Sequence, residues 1–173
     1  MSCPPRSPSP RVTDLSEIRL VVFDFDGVFS DNRVWTNEHG EESVACWRGD
    51  SLGLRRLDEV GVDYFVITQE LNEAVPARAR KIRIDCIGGI EDKLAVLREQ
   101  AEQRGVPLAE TAYLGNDVND AECLAAVGVP VVPSDAWHEV VPLAGLVLTR
   151  PGGHGCVREF CDAVWNAKRA VTA

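Results

Sequence analysis

No stretch of this sequence approaches the ~20 consecutive apolar residues that cross a bilayer as a helix, which excludes a membrane-spanning helix within it. Positive charge is also short. Eighteen Lys and Arg stand against 27 Asp and Glu, giving a net charge of −9 and a pI near 4.8. Non-specific adhesion to nucleic acid or to an anionic membrane is therefore not expected, and an anionic ligand would need a local cluster of cations. None of the six cysteines (Cys3, Cys46, Cys86, Cys123, Cys156, Cys161) forms a C-x-x-C pair. The opening "MSCPPRSPSPR" holds four prolines and no apolar run of the signal-peptide kind. Reduced thiols and a cytoplasmic location follow as expectations. The three histidines, His39, His138 and His154, lie too far apart for a zinc pattern. Internal repeats are absent.

What remains is a composition ordinary for one globular domain: 173 residues, 45% hydrophobic and 26% charged. Residues 1–16 read as a disordered tail and 17–173 as a single domain. "IRLVVFDF" is a continuous apolar run of the doubly buried strand type. "VFSDNRVWTNEHGEESVACW" reads as a hairpin turning at Gly40. Helices are expected over "SLGLRRLDEVG", over "EAVPARARKI" capped by Asn72, and over "EDKLAVLREQAEQRG". Further helices are expected over "NDAECLAAVG", "DAWHEVVPLA" and "CVREFCDAVWNAKRA". Strands are expected at "VDYFVIT", "IDCI", "TAYLG", "VPVV" and "GLVLT". This alternation predicts an α/β fold with a mainly parallel sheet and helices on both faces.

In such sheets ligands bind beyond the carboxyl ends of the strands. The polar residues ending apolar runs are Asp24 with Asp26, Thr68, and Asn116 with Asp117. Residues two apart in an extended chain point to one side, so Asp24 and Asp26 converge. A hard divalent cation with oxygen ligands would offset their repulsion, and Gly27 lets the backbone turn sharply beside it.

With "VIT", the lysine of "GGIEDK" (Lys93) and "YLGNDVND" added to "DFDG", the chain resembles the haloacid-dehalogenase-like phosphatases, whose four motifs appear here in order from about Ile18 onward. The resemblance implies a Rossmann-like fold and an aspartyl-phosphate mechanism. Asp24 would be the nucleophile and Asp26 the general acid and base. Thr68 and Lys93 would hold the phosphoryl oxygens. Magnesium would be held by Asp24, Asp26 and either Asn116 or Asp117, since Asn116 stands where the family usually has a metal-binding Asp. The segments around Thr68 are too short for a cap domain.

The lack of a cap, with "VACWRGDSLGL" and "PGGHGCVREF", is similar to the capless branch of octulosonate 8-phosphate and nonulosonate 9-phosphate phosphatases, and to the phosphatase-like module of acylneuraminate cytidylyltransferases. That branch implies a homotetramer with "VWTNEHGEESVA" as a central hairpin flap, and the loop of Gly152, Gly153 and Gly155 reaching a neighbouring site. It also implies substrate contacts from Arg48, Asp50, Ser51, Gly53, Gln69, Glu70, Arg78, Lys81 and Asn119, with Asp120 orienting Lys93. Glu70, Arg78 and Lys81 match the nonulosonate spacing, where octulosonate enzymes carry "ITGR". Arg80 and Arg83 read as solvated. The expected reaction is hydrolysis of a phosphorylated 2-keto-3-deoxy sugar acid. The alternatives are an octulosonate 8-phosphate phosphatase, another phosphatase on the same scaffold, and a tetramerisation module that has lost catalysis.

Overall fold

The computed structural model describes residues 14–172. Most of the expected tail, residues 1–13, lies outside them. Its last residues belong to a short 3-10 turn, Leu15–Glu17, capped by the Asp14 carboxylate and tied down by Lys168 Nζ donating to the Ser16 carbonyl at 2.9 Å.

Eight strands and five α-helices follow. They are β1 (Leu20–Phe23), β2 (Ser30–Thr36), β3 (Glu42–Cys46), α1 (Asp50–Glu59), β4 (Asp63–Ile67), α2 (Ala74–Ile82), β5 (Asp85–Ile87), α3 (Lys93–Gln103), β6 (Thr111–Leu114), α4 (Ala121–Ala126), β7 (Val129–Val132), β8 (Leu146–Val147) and α5 (Cys156–Thr172). Six strands form one sheet in the order β5-β4-β1-β6-β7-β8, parallel throughout. The antiparallel pair β2–β3 is a separate two-stranded sheet. Only this hairpin and α1 separate β1 from β4, so no cap domain is inserted there.

All four residues of β1 are buried, as expected for a central strand covered on both faces. Their alternation divides the core. Val21 and Phe23 pack with α1, α2 and α5 through Leu54, Leu57, Val75, Ala79, Val157 and Phe160. Leu20 and Val22 face α3 and α4 through Leu97, Ala101, Cys123 and Leu124. Each fully buried aliphatic or aromatic side chain of this kind contributes roughly 1.5–3 kcal/mol.

One expected helix is absent. "DAWHEVVPLA" forms turns and a 3-10 segment, Val141–Leu143, with Pro142 inside it. The Trp137 amide is drawn instead to the Asn116 carbonyl at 2.8 Å, and Asp135 accepts a bond from the Gly152 amide at 2.8 Å. These tertiary partners replace helical ones. Among the described residues no helix is long and apolar enough to cross a membrane.

Candidate active site

The Asp24 amide donates to the Leu114 carbonyl at 2.9 Å, carrying the β1–β6 ladder one step past Phe23. The chain then folds back on itself. The amides of Val28, Phe29 and Ser30 all converge on the Phe25 carbonyl, and Gly27 takes φ +78°, a conformation that side chains with a Cβ resist. Stacked Phe25 and Phe29, 5.6 Å between centroids, anchor the turn in the core. Ser30 Oγ donates to Asp26 Oδ1 at 2.9 Å and fixes the second carboxylate.

Lys93 opens α3, whose N-terminus Asp92 caps. Its ammonium lies 2.9 Å from Asp24 Oδ1 and 2.8 Å from Asp120 Oδ1. Asp120 is fully buried and also accepts bonds from Tyr113 Oη at 2.7 Å, the Asn116 amide at 2.9 Å and the Asp117 amide at 3.4 Å. Any Cβ at Gly115 would stand 2.6 Å from the Asp120 carboxylate, so a glycine is required above it. Burial pushes Asp24 up to about 8, helped by the Asp120 charge and opposed by Lys93. Burial pulls Lys93 down, but the two carboxylates outweigh it and hold the ammonium charged. The Lys93–Asp24 contact favours an ionised Asp24 while its burial opposes one. A lysine shared between two acids leaves Asp24 short of positive charge.

Asn116 lies over Gly27: a Cβ there would come 2.0 Å from Asn116 Nδ2. Its Oδ1 is buried without a hydrogen-bond partner, a costly state for an amide oxygen. Asp117 is engaged locally, accepting from the Val118 amide at 2.7 Å and capping a 3-10 turn. Among the described residues no three His, Cys, Asp or Glu side chains converge as a metal cluster. The donor set is instead two carboxylates and the unsatisfied amide oxygen, and it fits a hard divalent cation. Asn116 offers an unsatisfied oxygen, whereas one oxygen of Asp117 is taken by the Val118 amide.

Thr68 is buried beyond β4, and its Oγ1 accepts from the Glu70 amide at 3.1 Å. Asn119 Nδ2 donates to Gln69 Oε1 at 3.1 Å, and both line a cavity of about 430 Å³ with Lys93. Burial raises Asp26, and the Glu70 charge adds to the rise against the Ser30 bond.

The other expected substrate residues lie elsewhere. Asp50 is fully buried and accepts from the Arg158 amide at 3.1 Å. Gly53 sits against α5, where a Cβ would come 3.0 Å from Arg158 Cα. Both seat α1 on α5, and Asp50 keeps its second oxygen, Oδ2, buried without a partner. Arg48, Ser51, Arg78 and Lys81 line a different cavity, between α1 and α2. The glycine loop expected to reach a neighbour packs on its own chain: a Cβ at Gly152 would lie 2.0 Å from the Gly27 carbonyl, and the Gly153 amide donates to the Val28 carbonyl at 2.9 Å. Ser30, Tyr113 and Asp135 support the site without having been singled out in the sequence. Of these only Tyr113 carried a signal, a polar ring within the apolar "TAYLG" whose hydroxyl needs a partner once buried.

A six-stranded parallel sheet carrying an acid pair, a threonine, a lysine and an Asn–Asp corner on its carboxyl edge defines a phosphoryl-transfer site of the haloacid dehalogenase type. No protein-family model matches the chain. It is 33% identical over 154 residues to 3-deoxy-D-manno-octulosonate 8-phosphate phosphatase KdsC of Yersinia pestis, covering 88% of this chain and 82% of that one. A crystal structure of that phosphatase from Yersinia pestis superposes with a TM-score of 0.88 at 31% identity, over 95% of this chain and 89% of that one. The Moraxella catarrhalis enzyme, solved with magnesium, phosphate and KDO, gives a TM-score of 0.86 at 29% identity, over 92% of both chains. The chain belongs to the KdsC-type phosphatases of the haloacid dehalogenase superfamily.

Proposed function

We propose that the protein is a magnesium-dependent phosphomonoesterase acting on a phosphorylated 2-keto-3-deoxy sugar acid. One observation carries this reading: Lys93 bridges Asp24 and Asp120 while Asn116 Oδ1 stays buried and unpartnered alongside. Asp24, Asp26 and Asn116 would hold magnesium, which would supply positive charge for phosphate binding and lower the cost of ionising Asp24. Asp24 attacks phosphorus, forming an aspartyl phosphate as the P–O bond to the sugar breaks. Asp26, whose burial favours its protonated form, gives that proton to the leaving alkoxide, then takes one from the water that hydrolyses the intermediate. Thr68 and Lys93 bind the phosphoryl oxygens. Gln69, Glu70 and Asn119 line the approach and hydrogen-bond the sugar.

Two sugar acids fit. Glu70 favours a nonulosonate 9-phosphate, while the similarity to KdsC enzymes favours octulosonate 8-phosphate. A panel ranked by kcat/KM decides, and Glu70→Arg should shift preference toward octulosonate. The enzyme is further proposed to work in the cytoplasm, consistent with its free thiols, as a homotetramer. The hairpin supports assembly through Val34 and Trp35, 53% and 69% exposed. The first test is turnover of p-nitrophenyl phosphate with and without magnesium. Asp24→Asn should abolish it and chelation should suppress it reversibly. Parental rates in Asp24→Asn would retire the reading.

A further inference from the structure

The three residues proposed to hold magnesium come from two separate turns. Asp24 and Asp26 follow β1, and Asn116 follows β6. The two strands pair as far as Phe23 and Leu114, and the Asp24 amide adds one more bond, to the Leu114 carbonyl at 2.9 Å. Past that bond the turns leave the ladder, so the sheet alone does not fix how far Asn116 stands from the second carboxylate. A divalent cation site depends on both ligand charge and rigidity. Here one of the three donors is a neutral amide oxygen, so rigidity matters more than it would with three carboxylates.

A ring of contacts outside the sheet ties the turns together. The Trp137 amide donates to the Asn116 carbonyl at 2.8 Å. Two residues earlier, Asp135 Oδ1 accepts from the Gly152 amide at 2.8 Å. Gly152 lies so close to the Gly27 carbonyl that a Cβ could not fit between them. The next amide, Gly153, donates to the Val28 carbonyl at 2.9 Å, and a Cβ there would strike the Asp31 amide. Gly27 in turn packs under the Asn116 side chain, which closes the ring. The paired glycines of "PGGHG" are thus required by the approach of two backbones.

Apart from Asn116, Asp135 is the one member of this ring that acts through its side chain. It is exposed, where an aspartate ordinarily hydrogen-bonds water or the amide two residues on in its own turn. It bonds instead across 17 residues to a backbone amide. Other bonds keep the two loops in place. The Ser134 amide reaches the Arg150 carbonyl at 3.2 Å, and Glu159 accepts from the Thr149 and Arg150 amides, each at 2.9 Å. With those anchors kept, losing the Asp135 carboxylate frees the glycine pair that rests on the turn after β1, and little else.

We propose that Asp135 is a positioning residue for the cation site, holding the Asn116 corner and the Asp24–Asp26 turn at a fixed separation through the Gly152 amide. The inference rests on the magnesium-dependent reading above and adds a residue to it. Manganese(II), a paramagnetic divalent probe, is titrated into the full-length parent and its variants, with the free ion read by electron paramagnetic resonance. Asp135→Ala should raise Kd about tenfold, the lower end of what partners supporting a metal ligand contribute. Asp135→Asn keeps an acceptor oxygen without the charge and should restore most of the affinity. Glu139→Ala removes the same charge from the same segment, where the carboxylate accepts from Trp137 Nε1 at 3.0 Å, and should bind like the parent. The magnesium activation constant for p-nitrophenyl phosphate turnover should rise in step for Asp135→Ala, with kcat at saturating magnesium near the parent's and Tm lower by only about 2–4 °C. Parental manganese affinity in Asp135→Ala overturns the proposal, because Asp135 would then merely fasten a loop. An equal loss in Asp135→Asn or Glu139→Ala also overturns it, because charge rather than position would be at work. A parent that binds no manganese sinks the magnesium reading and this inference with it.

Discussion

Replacing Asp120 by alanine should damage stability and catalysis together, although the residue is fully buried and has no part in the bond-making steps. The carboxylate receives Lys93 at 2.8 Å, Tyr113 Oη at 2.7 Å and the Asn116 amide at 2.9 Å. Removing it breaks a buried ion pair, which costs about 3 kcal/mol or more. It also strands two neutral donors at about 1 kcal/mol each. A total of about 5 kcal/mol corresponds to a Tm lower by about 10–20 °C in a chain of this size. Asp120→Asn keeps the shape and one acceptor oxygen but loses the charge, so it should lose roughly half as much. In both variants Lys93 is no longer held between two carboxylates. Each ~1.4 kcal/mol of lost transition-state stabilisation lowers kcat tenfold. Calorimetric melting and p-nitrophenyl phosphate turnover check the two effects. An Asp120→Ala protein that melts within about 2 °C of the parent and turns over at its rate would refute the reasoning, because a hub with these bonds cannot be removed at so low a cost.

Gly27→Ala should impair folding and activity, since its Cβ would lie 2.0 Å from Asn116 Nδ2 at a backbone φ of +78°; melting and turnover should fall together. Gly53→Val should cost about 1–3 kcal/mol by overpacking α1 on α5, measured by urea unfolding, with kcat of the folded fraction preserved. Burial raises Asp50 from 3.8 to about 7. The native state therefore holds this proton more tightly than the unfolded chain, and stability from Asp50 is full below pH 3.8 and lost as pH rises through about 7. The loss is at most about 4 kcal/mol; Asp50→Asn should flatten that slope, and an unchanged slope in urea unfolding between pH 4 and 8 would count against it. Trp35→Glu should shift the protein to smaller species by light scattering if the hairpin assembles copies.

The strands were legible because burial on both faces leaves unbroken apolar runs, as in Leu20–Phe23, and because Gly61 and Gly105 end α1 and α3 with positive φ. The site was legible because its polar residues interrupt those runs at strand ends. Long-range geometry was not. Nothing local in "DAWHEVVPLA" reveals that the Trp137 amide bonds the Asn116 carbonyl. Nor does "RGDSLGL" show that Asp50 and Gly53 face α5, because a buried acid and a packing glycine have the same letters as a ligand-binding pair. Arg83 is exposed, as its helix-face pattern suggested; only its left-handed cap position, a property of the backbone, was hidden.

The register of the central strand also bears on how the chain folds as it is made. Leu20 pairs on one side with Asp63 and on the other with Thr111, so the most apolar segment waits for a partner synthesised some ninety residues later. At a translation rate of about 5–20 residues per second, that interval is roughly 5–18 s during which a sticky edge stands open on the ribosome. Asp24 at its tip reaches Lys93 and the Asn116 corner only after that gap closes. Slow codons or scarce chaperones in this interval should lower the yield of active enzyme more than the same disturbance after β6.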